Sequence, residues 1–196
     1  IGPAQHLRSL GIDVVLDSPG VGQNLREHWM GIAQYRLKVP LSTNKQFSGF
    51  RLLKNTAQYF LSRKGLMSTS SHEACAFFRT RPELDRPDAQ IAFAPFSLVQ
   101  GGDEAKFAFE PWHGIQIHGF QTRPESQGSI LISSADPAEQ PQINPNYFST
   151  DADRRCAVEI IRYIRRLVAQ PALQQFVSEE TLPGPGIQTD EEILAT

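Results

Sequence analysis

The chain has 196 residues, a formal net charge of -2, and 40% hydrophobic against 20% charged residues. That is the composition of an ordinary globular protein with one good core. Its scattered arginines make no basic face for nucleic acid, and its longest apolar stretch, Ile91 to Val99, is interrupted by Pro95 and far too short for a membrane span. Two distant cysteines, Cys75 and Cys156, make no disulfide framework; this fits a reducing compartment, and the expected location is the cytoplasm.

Pro3 to Leu10 is predicted to form a short helix stopped by Gly11. Ile12 to Leu16, rich in β-branched residues, is predicted to form a strand. Asp17-Ser18-Pro19-Gly20 is a turn, and the Gly20-Val21-Gly22 run tolerates positive φ. From Met30 the side chains alternate: Ile32, Gln34 and Arg36 on one side, Ala33, Tyr35 and Leu37 on the other, as in a strand. Gln46 to Lys64 has helical spacing of Phe47, Phe50, Leu53, Ala57, Phe60 and Leu61, closed by Gly65.

Four further strands are expected over 74–79, 90–96, 115–120 and 129–133, and a loop over 100–112. The strongest helix follows Thr150, which with Asp153 makes an imperfect capping box. Its stripe is Ala157, Ile160, Ile161, Ile164, Leu167 and Val168, and Pro171 bends or ends it. Thr189-Asp190-Glu191-Glu192 is a better capping box and starts another helix. Strands in succession with inserted helices imply an α+β fold, a mainly antiparallel sheet covered by helices on one face. The helices near 46–64 and 151–169 are the expected cover.

The residues that bear chemistry are few. A glycine pair before a short helix can offer N–H groups to an anion, but Gly20-Val21-Gly22 lacks the third glycine of a dinucleotide loop and by itself reads as a tight turn. His28 is the titratable group of most interest. His72 and Glu73, adjacent on an expected strand, would point to opposite faces and not chelate together, so no metal site is expected. His113 and His118 have no ligand spacing and are taken as surface or loop residues. No serine sits in a nucleophile elbow.

Two phrases identify a family. Pro19-Gly20-Val21-Gly22-Gln23-Asn24-Leu25-Arg26-Glu27-His28 and Gly128-Ser129-Ile130-Leu131-Ile132-Ser133-Ser134-Ala135-Asp136-Pro137, in that order, resemble the glucose–methanol–choline (GMC) family of FAD-dependent alcohol oxidoreductases. Ile1-Gly2-Pro3, Ser71-His72-Glu73-Ala74, Pro141-Gln142-Ile143-Asn144-Pro145 and Gln170-Pro171-Ala172-Leu173 extend the likeness over nearly the whole chain. Glu27 stands where the family usually has Asp.

The resemblance implies a division of the chain: 1–28 as the tail of the FAD-binding domain, with Gly20, Val21, Gly22 and Asn24 beside the cofactor, and 29–196 as the substrate-binding domain. It implies a substrate pocket of His28, Trp29, Met30, Ala92 and Phe93, with Phe96 near it. It places no catalytic residue here: the base histidine belongs to a C-terminal segment beyond this chain, as the nucleotide loop belongs to one before it. The chain is therefore expected to be an inactive fragment that does not retain FAD, its partners being those absent segments and a small-molecule alcohol. Choline-oxidising members generally carry a glutamate at the Met30 position and a histidine at the Ala92 position, so a neutral primary alcohol is expected and not choline. A sheet left incomplete by the cut would expose apolar surface and favour self-association. The competing expectation is a stand-alone binding or structural domain without redox chemistry.

Overall fold

In the computed structural model, which describes residues 1–99 and 108–196, the alternating run from Met30 becomes β2 (Met30–Leu37), an inner strand of a five-stranded sheet. Its fellows are β3 (Ala74–Phe78), β4 (Ala89–Ala94), β5 (Gly114–Gln121) and β8 (Val177–Leu182), in the spatial order β3-β4-β5-β2-β8. Every pairing is antiparallel. A second sheet of three short strands, β1 (Gln23–Leu25), β6 (Gly128–Leu131) and β7 (Gln142–Asn144), is also antiparallel. The expected α+β architecture is what the chain adopts.

One helix covers the large sheet. Thr150 caps α3 (Asp151–Val168) by accepting from the Asp153 amide, and the predicted stripe turns inward. Ile160, Ile164 and Val168 pack on Ala33, Tyr35, Ile91, Ile115 and Ile117. The approach is close because β5 carries Gly119: a Cβ there would stand 2.2 Å from Cγ2 of Ile160. Two polar ties hold the cover in place. The buried Asp153 carboxylate accepts from the Gln121 side chain and from the amides of Glu125 and Ser126, fastening the start of α3 to the end of β5. Burial alone would raise its pKa, but these donors together hold it below the usual carboxylate value. At the other end, Glu180 of β8 accepts from Arg165 through both oxygens, at 3.0 and 2.7 Å, and also from the Tyr35 hydroxyl and the Gly184 amide.

The second expected cover behaves otherwise. The apolar run from Gln46 breaks at Ser48 into a 3-10 turn (Asn44–Phe47) and α2 (Gly49–Ser62), with no residue of α2 buried. Its inward side carries half-buried Asn55, Thr56 and Tyr59, while Phe50, Leu53, Phe60 and Leu61 face out. Helical periodicity requires only that one face differ from the other; the large sheet's second face is not where this stripe lies.

Two other expectations are corrected. Ile12 to Leu16 is not a strand: apart from a bridge between Gly2 and Asp17 it has no ladder, and Val15 and Leu16 are exposed. β-Branched residues favour a strand only where a partner strand pairs with them. The loop expected at 100–112 lies partly outside the described residues, over 100–107; Ala108 to Glu110 pair with Ser97 to Val99 instead of forming a free loop. The polar edge strand β8 has no apolar alternation that sequence reasoning detects. α1 (Ala4–Ser9), α4 (Pro171–Gln174) and α5 (Asp190–Leu194) are short, and both hydrogen bonds of the α5 capping box form. No helix of the described residues is long and apolar enough to cross a membrane.

Candidate functional site

Strand register sorts the large sheet's residues onto two faces. Side chains of directly paired residues share a face, so Met30, Phe120, Gln90 and Phe77 form one row opposite α3. Ile32, His118, Ala92 and Cys75 form the next, and Gln34, Gln116 and Ala94 the third. α3 covers the other face. On the row side an open cavity of about 390 Å³ is lined by His72, Glu73, Ala74, Cys75, Gln90, Ala92 and Phe120.

The expected pocket residues divide between these faces. Met30 and Ala92 lie on the open side. Phe93, one residue on, packs against the core beneath α3, and Trp29 packs there too, its ring 5.2 Å from Phe148. His28 is exposed on the link from β1 to β2, its amide donating to Glu27. Phe96 borders a separate apolar cavity of about 270 Å³ with Phe47, Leu66, Met67 and Phe109. The alternation of β2 and β4 therefore separates Met30 from Trp29, and Ala92 from Phe93.

Of the residues expected beside the cofactor, Gly20, Val21 and Gly22 form a turn that leads into β1, where Asn24 lies. Gly22 has φ +77 and lies against β6, where a Cβ would stand 2.3 Å from the Ile130 carbonyl oxygen; that carbonyl's own amide donates to Gly22. The Val21 and Gln23 amides donate to Ser18 and Gly20 within the turn, and Asn24 has a left-handed backbone. These two amides are thus engaged within the turn.

The polar content of the open face comes from His118, which sits in β5 and not on a loop. Its ring is part of a directed chain. The buried Gln34 side-chain oxygen, Oε1, accepts from the Leu98 backbone amide and, at 2.8 Å, from the Gln116 side-chain amide. Gln116 then presents its oxygen to His118 Nε2 at 3.1 Å, which makes Nε2 the protonated nitrogen of His118. His118 Nδ1 is left as an acceptor for His72 Nε2–H at 3.1 Å, and His72 Nδ1 accepts from the Ser71 hydroxyl. Burial, with the neighbouring His72 second, lowers the His118 pKa to about 4. Both of its nitrogens are engaged, so the ring stays neutral through the physiological range.

His72 and Glu73 line the same cavity, contrary to the opposite-face expectation, because β3 begins only at Ala74 and the alternation does not extend to His72. Among the described residues no three His, Cys, Asp or Glu converge as a metal site. Of the residues missed from sequence, His118 and Phe120 carried a readable signal: alternation over 115–120 puts them on the same side as Gln116. The His72 contact reaches across β4 and had none.

Residues 124–196 match a family model described as GMC oxidoreductase. An oxygen-dependent choline dehydrogenase of Vibrio vulnificus is 39% identical over 193 residues, 98% of this chain and 34% of its own length. Its counterpart in Staphylococcus xylosus is 36% identical over 194 residues, 99% of this chain and 34% of its length. A formate oxidase of Aspergillus oryzae shares the fold with a TM-score of 0.85 at 23% identity, over 98% of this chain and 38% of that one. The chain thus spans about a third of the length of the curated relatives it matches. Residues 124–196 thus carry a GMC oxidoreductase domain, and the sequence likeness to these enzymes runs over nearly the whole chain.

Proposed function

We propose that this chain forms the substrate-side wall of a flavin-dependent oxidoreductase that converts a primary alcohol to its carbonyl product, and that the alcohol is neutral and not choline. FAD, held by segments outside this chain, would supply the hydride acceptor. The residues here bind the carbon skeleton and keep water from it. The observation that carries the reading is the composition of the open face: Met30, Phe120, Ile32 and Ala92 are apolar, and the His118 imidazole in the same rows is neutral with both nitrogens occupied. Such a wall rewards an apolar alcohol and offers a quaternary ammonium no charge at the Met30 or Ala92 positions. The division into a flavin-side tail over 1–28 and a substrate-side domain over 29–196 belongs to the same proposal.

Choline is the second reading, and two observations favour it. The named relatives are choline dehydrogenases. The Glu73 carboxylate also lines the cavity beside Ala92, where a carboxylate can hold a cation.

Steady-state kinetics of the full-length enzyme on choline and on benzylic and aliphatic alcohols separates the two. The neutral reading expects kcat/KM for choline at least about tenfold below that for the best neutral alcohol, the scale of a lost charge contact. Comparable turnover of choline, with selective loss of that activity in Glu73→Gln, would establish the second reading. The isolated chain is expected to release no flavin on denaturation; a stoichiometric flavin absorbance would overturn the division of labour proposed here.

A further inference from the structure

α2 presents its apolar stripe to solvent and its polar side to the protein. Phe50, Leu53, Phe60 and Leu61 are 79, 64, 67 and 88% exposed, on one side of the helix at spacings of three and four. The opposite side makes the contacts: Asn55 donates to the Gln46 carbonyl at 3.0 Å, and Tyr59 and Thr56 are half-buried. Large apolar groups gathered outward in this way mark a surface that meets something other than water.

Charge says what that something is. Lys45, Arg51, Lys54, Arg63 and Lys64 lie on or beside α2, and no Asp or Glu occurs between Lys45 and His72, in a chain whose net charge is -2. Among the described residues none of the five takes part in an ion pair. Arg63 lies over the Tyr59 and Phe60 rings, at 5.2 and 5.8 Å from their centroids, so it stays at the helix surface beside the stripe. A second copy of this chain would have to set one cationic helix against another. An exposed Phe/Leu face flanked only by Lys and Arg is the pattern of a helix lying in an anionic lipid interface, its apolar side entering the acyl boundary and its cations meeting the headgroups.

We propose that α2 docks the enzyme on an anionic membrane surface, parallel to it, without spanning it. This goes beyond the alcohol oxidation proposed above and does not depend on it, since α2 contributes nothing to the cavity beside His118.

Co-sedimentation of the full-length, flavin-loaded enzyme with phosphatidylcholine vesicles, with and without phosphatidylglycerol, tests the proposal. Binding should require phosphatidylglycerol and weaken as salt rises. Arg51→Gln and Lys54→Gln should each weaken it about fivefold, and Leu61→Ser or Phe50→Ser about tenfold or more. Turnover of alcohol in detergent-free solution should not change in these variants, which separates a failure here from a failure of the proposed activity. Three outcomes overturn the proposal. One is vesicle binding indifferent to all four substitutions. Another is no binding, with a dimer in light scattering that Leu61→Ser dissociates, which assigns the stripe to a second copy. The third is no binding, with α2 amides in the full-length monomer strongly protected from hydrogen exchange, which assigns it to the rest of the enzyme.

Discussion

α2 and α3 carry apolar stripes of the same helical spacing and meet opposite surroundings. α3 seats Ile160, Ile164 and Val168 on the sheet, with Gly119 cleared for contact. α2 turns Phe50, Leu53 and Leu61 away from the protein and its polar residues toward it. The difference teaches that amphipathicity marks a face that will be covered but does not name the cover. The polar ends distinguish the two helices better than the stripes do. α3 begins at a Thr150 cap with a buried Asp153 that binds the neighbouring connection, and ends at Arg165 against Glu180. α2 has no side-chain N-cap and only cations near its ends.

Substitutions can break this contrast or sharpen it. The largest effect is expected at the helix–sheet contact: Ile160→Ala leaves a void against Gly119 and Ile117, costing about 3 kcal/mol in urea denaturation of this chain. A loss below about 1 kcal/mol would mean that α3 does not make the tight contact described.

Asp153→Ala comes next, at about 2–3 kcal/mol, because the Glu125 and Ser126 amides and the buried Gln121 side chain lose their acceptor. The sign with pH follows from the lowered folded pKa. The stabilisation is complete above the ordinary value of 3.8 and disappears as pH falls through the folded value. The Asp153→Ala variant should therefore show a shallower loss of stability on acidification below about pH 4 than the parent.

A smaller effect belongs to the open face. His118 is neutral when folded, with a pKa near 4 against an ordinary 6.5. Its contribution is fully present above pH 6.5 and declines as pH falls toward 4, so acid destabilises the fold over that window. His118→Gln should reduce the slope there by an amount on the order of 1 kcal/mol after solvent screening. An unchanged slope would remove the half-buried neutral imidazole from the account of the site.

The smallest effect sharpens the contrast most. Leu61→Ser on α2 should alter the stability of this chain by less than about 0.5 kcal/mol, though the same kind of change in the α3 stripe disrupts a core. A loss of 2 kcal/mol or more would show that the α2 stripe is buried in solution.

Much of the fold was legible in the residues because it rests on local chemistry. Alternation from Met30 and over 115–120, the Thr150 and Thr189 caps, and the breaks at Pro171 and Gly11 mark elements that the structure contains. The polar strand β8 was not legible, since Val177 to Leu182 become a strand by pairing with β2 and by the Glu180–Arg165 contact. The strand expected over Ile12 to Leu16 failed for the converse reason, having propensity without a partner.

At the site the same boundary holds. The two family phrases and the identities at Met30 and Ala92 were available in the sequence, as was the opposition of neighbouring side chains on a strand. Which of Trp29 and Met30, or Ala92 and Phe93, belongs to the open face depended on register, and a side-chain period of two gives adjacent residues opposite surroundings. The meeting of His72 with His118, and the outward turn of α2, were decided only by tertiary structure. Both depend on which distant segment lies alongside, and residue types and their local periodicity carry no record of that.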